Sequence, residues 1–527
     1  MSEDESPSLF NRDSGILLHP SSLPGDFGIG DFGPSALRWL DALVESGQNL
    51  WQILPLHPTG YGDSPYQSLS AFAVSSLFLS PESLYESGLI TKAELSSFIL
   101  PKRAAIRYVD VHTNKLELAK RASCRFFNLA DKSSLHIGYE QFLVRQSEWL
   151  LPFALFSALK SKFGGVAWTN WPSAFRDRHV DALSNAEKEL SEDIRRIFFE
   201  QYILSKQWGS VRAKAQELGI RIIGDMPIFM AHDSADVWCN PNLFRLATDG
   251  NPTVVAGVPP DYFSATGQLW GNPLYDWGAH VLQDFSWWRS RVGKLMDWVD
   301  LARIDHFRGF QSCWEIDGTA DSAVKGRWVE APGKEILDIF LDELGAPLPL
   351  IAEDLGVITP EVLALRDAYQ LPGLRIQQFA FGSDVMKDTF IPEAYDSNCV
   401  AYTGTHDNDT VVGWFNSQPG VSSTRSADEV EKERVAAMSY FGTDGSEINW
   451  DFINALYSSE AGATLVPLQD VLGLGSNARM NTPGTASGSW RWRISDDLTL
   501  EPSLTRLKEL THKTLRGLAA NKINTYE

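Results

Sequence analysis

Only four cysteines occur in the 527 residues, Cys124, Cys239, Cys313 and Cys399, far apart and without paired metal-type spacing. They exclude a disulfide scaffold and a cysteine-ligated zinc site, and they fit reduced, buried thiols. No apolar run approaches the roughly 20 residues of a membrane-spanning helix. Positive charge is scarce as well: 46 Lys and Arg against 67 Asp and Glu give a formal net charge of −21. Such a field repels nucleic acid, anionic membranes and polyanionic substrates, which leaves a neutral substrate as the best fit. There is no internal repeat and no low-complexity linker between halves. The opening stretch, MSEDESPSLFNRDSG, is acidic where signal and transit peptides are basic or poor in acid, so no targeting segment is expected.

What the chain does have is 43% hydrophobic residues and eighteen tryptophans. The first allows a sizeable core. Indoles beside acids suit stacking on sugar faces, although at least half of them are expected in that core. The most informative stretch is Leu301 to Phe310, LARIDHFRGF, an apolar run ending in charge. Trp298, Val299, Leu301, Ala302 and Ile304 suit a strand covered on both faces. Arg303 and Asp305 share side-chain parity, so both point the same way. An ion pair closing a strand would explain one such pattern equally well.

The pattern recurs. Gly219 to Gly224 runs into Asp225, Leu348 to Ala352 into Glu353 and Asp354, and Val400 to Tyr402 into His406 and Asp407. A buried carboxylate needs a partner or a task. The intervals between these acids hold one or two strand–helix units each. In a parallel barrel the strands present their C-terminal ends on one face, which brings four acids to one pocket.

Elsewhere the chain is read as supporting structure. Gly28-x-Gly30-x-x-Gly33 matches the dinucleotide fingerprint only formally, because Pro24-Gly25 separates strand from helix and no partner acid follows. His57 to Ser70 offers hydroxyls and aromatics suited to binding. The single expected domain, 1–527, carries a mainly helical insertion at 81–217, a substrate-covering region at 240–280 and a smaller insertion at 415–490. Val254 to Trp277 reads as a Gly/Pro-broken loop without regular structure, with aromatics at 262, 263, 270, 275 and 277. Leu374 to Phe381 reads as a strand, and the acidic stretch Ser426 to Arg434 as a solvated helix face.

Cleaving an acetal between sugars requires one protonated carboxyl for the leaving oxygen and one ionised carboxylate to attack carbon or activate water. Asp305, beside Arg303, is expected to have a depressed pKa and stay ionised. Glu353, at the end of an apolar run near other acids, is expected to be raised and to suit the acid/base role. Asp407 with His406 suits holding sugar hydroxyls.

The motifs RIDHFRG, AEDLG, YTGTHDND, GDMPIF and SATGQLWGNPLYDW resemble the signatures of the 4-α-glucanotransferases of glycoside hydrolase family 77. The resemblance runs from Gly15 to about Arg493. It implies a (β/α)8 TIM barrel with inserted, mostly helical subdomains and no separate C-terminal β-domain. It further implies retaining double displacement on α-1,4-glucans, with glucose or another glucan as acceptor and with no metal or organic cofactor. Asp305 then corresponds to the nucleophile, Glu353 to the general acid/base and Asp407 to the transition-state stabiliser. Arg303, His406 and Asp225 fall in the donor subsite, and Ser64, Tyr66, Gln268, Trp270 and Asn481 at sugar-binding positions. Asp384 is not assigned, because FGSD is one residue shorter than the family's pattern. The implied compartment is a bacterial cytoplasm, or a plastid stroma if a transit peptide was removed. Three rivals to transfer are a plain α-glucan hydrolase using the same acids, a non-catalytic glucan-binding protein, and a metal hydrolase built on His232, His306 and His406.

Overall fold

The computed structural model describes residues 8–129, 134–260, 266–382, 386–417, 425–485, 487–495 and 497–523. In chain order its strands are β1 (Asp13–Leu17), β2 (Leu50–Gln52), β3 (Arg221–Pro227), β4 (Val254–Val258), β5 (Gln268–Pro273) and β6 (Leu301–Asp305). They continue as β7 (Ser312–Asp317), β8 (Gly326–Glu330), β9 (Leu350–Ala352), β10 (Gly373–Ile376), β11 (Cys399–Tyr402) and β12 (Ala463–Pro467). Eight of them close into a parallel barrel in the order β1-β12-β11-β10-β9-β6-β3-β2. The barrel is the one the strand-end acids imply, and no separate β-domain follows β12 among the described residues.

The strands hold together because both of their faces are apolar. Inside, Leu50, Ile223, Leu301, Ile351, Leu374, Ile376, Val400, Tyr402, Ala463 and Leu465 form one plug. Side chains of opposite parity, such as Trp51, Ile222, Ile304, Ala352 and Val466, join the larger core under the helices. The same period of two carries the interior face from Ile223 to Asp225, from Leu301 to Arg303 and Asp305, and from Ile351 to Glu353. Across β3 and β6 the register sets Asp225 beside Arg303 and Pro227 beside Asp305. An apolar plug is thus capped at its C-terminal end by charge, where barrel active sites lie.

Between β2 and β3 the chain is helical, from Pro81–Glu86 to the long helix Ser191–Glu217. That last helix is fastened to the barrel through the Trp208 indole, which donates to the Trp298 carbonyl at 2.7 Å. The glycines of the formal fingerprint serve packing: a Cβ on Gly30 would lie 2.0 Å from the Pro20 carbonyl oxygen, and one on Gly33 2.1 Å from Ser80 Oγ. Most of the eighteen tryptophans are buried. The aromatic count therefore reports mainly on the core, and stacking at the site rests on a few rings.

Three local expectations differ from the structure. The stretch 254–277 is not an irregular loop: β4 and β5 pair antiparallel and are extended by β7 and β8 into a four-stranded sheet. Gly257, at a register shift, and Gly271, at φ 77°, interrupt the alternation that would have marked the hairpin. Its Tyr262 and Phe263 lie outside the described residues. Leu374 to Phe381 gives a strand only to Ile376, after which the chain winds into a 3-10 turn, Gln377–Phe381. In the acidic helix Ala427–Phe441, Glu433 faces inward and accepts from the Trp414 indole at 3.1 Å and from Arg425 at close range.

Candidate active site

Arg303 is the centre of the charged cap. Its Nη1 donates to both carboxylate oxygens of Asp225, at 3.2 and 3.1 Å. Nη1 and Nη2 also donate to Asp305 Oδ1, at 3.0 and 2.6 Å. Tyr66 completes the line, its hydroxyl donating to Asp225 Oδ2 at 2.6 Å. Burial pushes the Asp225 carboxyl up to about 7, with Arg303 pulling it back. Burial raises Asp305 too, Arg303 again opposing and Asp407 adding to the rise. This reverses the direction expected from sequence, because the strand that aims Asp305 at Arg303 also takes the pair out of water. Asp305 nonetheless keeps 29% of its side chain exposed, so a substrate can reach it.

Glu353 stands just beyond β9. Its Oε2 accepts the backbone N–H of His306 at 2.7 Å. That N–H points at Glu353 because His306 adopts the left-handed conformation, φ 54° and ψ 52°, which a residue with a Cβ enters only under constraint. Burial drives the Glu353 carboxyl well above its usual range, Arg303 opposing and Asp305 reinforcing, as an acid catalyst requires.

Asp407 sits in the loop after β11 and keeps 45% side-chain exposure. Asn481 Nδ2 donates to its Oδ1 at 2.6 Å, and Arg479 Nη2 donates to its carbonyl at 2.7 Å. His406 lies in a stack, its ring 5.1 Å from Tyr66 at 14° and 5.9 Å from Trp490 at 40°. Burial lowers it to about 4, so the imidazole is neutral at ordinary pH.

Of the remaining expected positions, Gln268 and Trp270 project from β5, the Trp270 indole donating to Gln268 Oε1 at 3.1 Å. Trp270 also meets His306 edge to face, with centroids 4.9 Å apart. Ser64 is used locally, its Oγ accepting the Tyr66 N–H at 3.2 Å. Asp384 lies outside the described residues. The structure thus brings Asp225, Arg303, Asp305, Tyr66, His406, Asp407 and Asn481 into one hydrogen-bonded or stacked cluster, with Glu353 and Trp270 joined to it through His306.

His306, Arg479 and Trp490 have parts in the site that motif reading left unassigned. The signal for His306 was its place directly after a strand-end acid. Nothing in sequence announces a left-handed histidine. The three histidines of the metal rival keep separate company: His232 hydrogen-bonds the Gly250 carbonyl, His306 packs on Trp270, and His406 packs against Tyr66 and Trp490, which also touch each other. Among the described residues no group of three or more His, Cys, Asp or Glu could hold a metal ion.

Residues 18–499 match the family profile described as 4-alpha-glucanotransferase. The chain is 45% identical over 489 residues to the 4-alpha-glucanotransferase of Thermus thermophilus, covering 92% of this chain and 95% of the relative. It is 40% identical over 497 residues to the chloroplastic/amyloplastic 4-alpha-glucanotransferase of Solanum tuberosum, covering 93% and 83%. Its fold matches that of the amylomaltase from Streptococcus agalactiae in complex with acarbose, with a TM-score of 0.89, 37% identity, and coverage of 96% and 100%. With a closed parallel barrel, a cap of strand-end acids and likeness along nearly its whole length, the chain belongs to the 4-alpha-glucanotransferase family, glycoside hydrolase family 77.

Proposed function

We propose that the site transfers a segment of an α-1,4-glucan to the 4-hydroxyl of glucose or of another glucan, by two displacements through a covalent ester on Asp305. Arg303 holds Asp305 by Oδ1 alone, which leaves Oδ2 for attack at the anomeric carbon. The His306 N–H occupies Glu353 Oε2, which leaves Oε1 to carry the proton. That proton passes to the glycosidic oxygen as its bond to carbon breaks and the Asp305 ester forms. The shortened chain departs, and an acceptor hydroxyl takes its place. Glu353, now the base, removes the hydroxyl proton as the new oxygen–carbon bond forms and Asp305 is released.

Asp407, fixed through Oδ1 by Asn481, presents Oδ2, 3.4 Å from His406 Nε2, to hydroxyls of the distorted ring. His406, neutral, and Tyr66 form the wall beside it. The observation that carries the reading is the pair of contrasting anchors. Asp305 accepts two hydrogen bonds from a guanidinium, which oppose the rise that burial causes, whereas Glu353 accepts a backbone N–H and burial raises its carboxyl well above the usual range.

Transfer rather than hydrolysis requires that water be kept from the ester and an acceptor held in its place. The β4–β5 hairpin carrying Gln268 and Trp270, within the 240–280 region, is assigned this covering role; its contact with His306 supports it. The acarbose-bound streptococcal relative supports an oligosaccharide as the occupant.

The test is to incubate the protein with maltotriose alone and resolve the products by length, with Asp305→Asn as control. Maltopentaose and longer chains together with glucose, absent from the variant, are expected. Glucose and maltose without longer chains would make the protein a hydrolase, and no products at all would make it a glucan-binding protein.

A further inference from the structure

Behind the catalytic acids lies a buried carboxylate that the mechanism above does not use. Asp470 follows β12 and is 1% exposed, with no cation among its hydrogen-bond partners. Its Oδ2 accepts the Thr403 hydroxyl at 2.6 Å, and its Oδ1 accepts the Val411 N–H at 2.7 Å. Thr403 directly follows β11, and Val411 opens the short helix Val411–Phe415. The two oxygens of one side chain therefore grip both ends of the 403–411 loop, and that loop carries His406 and Asp407. Asp470 is itself fixed, since Asn449 Nδ2 donates to its backbone carbonyl at 2.8 Å.

Between its ends the loop is also tied to the segment 476–481, through Asn481 and Arg479 on Asp407 and through the bonds of Asp409. Thr405 N–H donates to Asn408 Oδ1 at 2.8 Å, Asp409 Oδ1 accepts the Thr410 N–H at 2.8 Å, and Asp409 Oδ2 accepts the Ser476 hydroxyl at 2.7 Å. Gln378 adds one tie, donating to the Asp409 carbonyl at 2.9 Å. These bonds shape the loop. Asp470 holds both of its ends, at Thr403 and at Val411, on one side chain.

We propose that Asp470 is a positioning residue: by holding Thr403 and Val411 on its two carboxyl oxygens, it sets where Asp407 and His406 stand in the site. A structural role alone would be served more cheaply by an uncharged side chain. Burial pushes the Asp470 carboxyl to about 7, with Thr403 and Val411 pulling it back and Asp409 raising it further, so a carboxyl here is costly. What a carboxyl provides and an alkyl group cannot is two acceptors at fixed separation, matched to a hydroxyl and an N–H. The inference rests on the assignment of Asp407 to the transition state. It predicts a loss in turnover rather than in substrate affinity, because Asp407 acts most strongly on the distorted ring.

The experiment compares the full-length protein with Asp470→Ala, Asp470→Asn and Thr403→Val, measuring kcat and KM for maltotriose disproportionation and Tm for each. Asp470→Ala is expected to lower kcat by about 10- to 100-fold with KM changed by no more than about twofold, the scale of a small misplacement of a catalytic group. Asp470→Asn is expected to recover most of that loss. Its amide oxygen still accepts from Val411, and its amide nitrogen donates to the Thr403 oxygen. A folded Asp470→Ala protein with wild-type kcat overturns the proposal, as does an Asp470→Asn protein as slow as Asp470→Ala. If Asp470→Ala does not fold, Thr403→Val decides: a several-fold fall in kcat at unchanged KM supports the clamp, and unchanged kcat overturns it. Failure of the transfer reading is seen separately, as the absence of a ladder from the wild-type protein.

Discussion

The two sides of the barrel mouth hold their acids by different means. On the β3–β6–β9 side, Asp225 and Asp305 are tied to a guanidinium, and Glu353 stands in the field of the same cation. On the β11–β12 side, Asp407 is held by the Asn481 amide, and Asp470 grips a hydroxyl and an N–H. On one side the carboxylates are paired with a cation, and on the other they accept from neutral donors, the Arg479 guanidinium reaching only the Asp407 backbone carbonyl. In the proposed mechanism the first must change the charge and covalency of its groups during a turnover, and a cation tunes those changes. The second, in that mechanism, must only stay in place while a ring distorts, and hydroxyl, amide and N–H donors fix its position directionally.

Glu353→Gln cuts deepest into the charged side. Turnover of maltooligosaccharides is expected to fall by about 10²- to 10⁴-fold. A glucosyl fluoride, whose leaving group needs no proton, should still form the Asp305 ester, and a burst of fluoride release measures it. Arg303→Gln comes next, with a loss of about 10²- to 10³-fold. It also leaves Asp225 buried without its cation, so calorimetry should show lower stability, by up to about 3 to 5 kcal/mol.

The sign of the pH effect separates the two sides. Arg303 lowers both Asp305 and Glu353, so its removal raises both. Asp305 must be ionised and Glu353 protonated, so both limbs of the kcat/KM profile should move to higher pH. Asn481→Ala should reduce kcat by about 10-fold, the worth of one hydrogen bond to a charged group, and leave both limbs in place. A moved limb in that variant would erase the distinction between the sides. The smallest effect is expected from Trp270→Ala, a rise of a few-fold in the ratio of hydrolysis to transfer; an equal ratio would remove the hairpin from the account of water exclusion.

Much of the site was legible because a strand has a period of two and a barrel has one catalytic end. Asp225, Arg303, Asp305 and Glu353 were found by that arithmetic, and the register of β3 against β6 shows why it worked. The hairpin 254–273 was hidden because Gly257 and Gly271 break its alternation. The direction of the Asp305 shift was misjudged because an adjacent arginine is visible in sequence and desolvation is not. The left-handed turn at His306 and the grip of Asp470 on Thr403, 67 residues away, depend on backbone angles and on tertiary distance. Neither leaves a mark in local composition.

The guanidinium at the centre of the cap serves two carboxylates, so with both ionised the pocket is short by one positive charge. Burial pushes Asp225 up to about 7, and the Asp305 carboxylate sharing its cation adds to the rise. A sugar ring losing its leaving group meets the shortfall by becoming cationic itself. The neutral ground state of the glucan gains little from this imbalance and the oxocarbenium-like state gains much, so the vacancy discriminates between them. In the proposed mechanism an uneven count of charges, which in a folding core would be a defect, works as a receptor for a species that exists only while the bond is breaking.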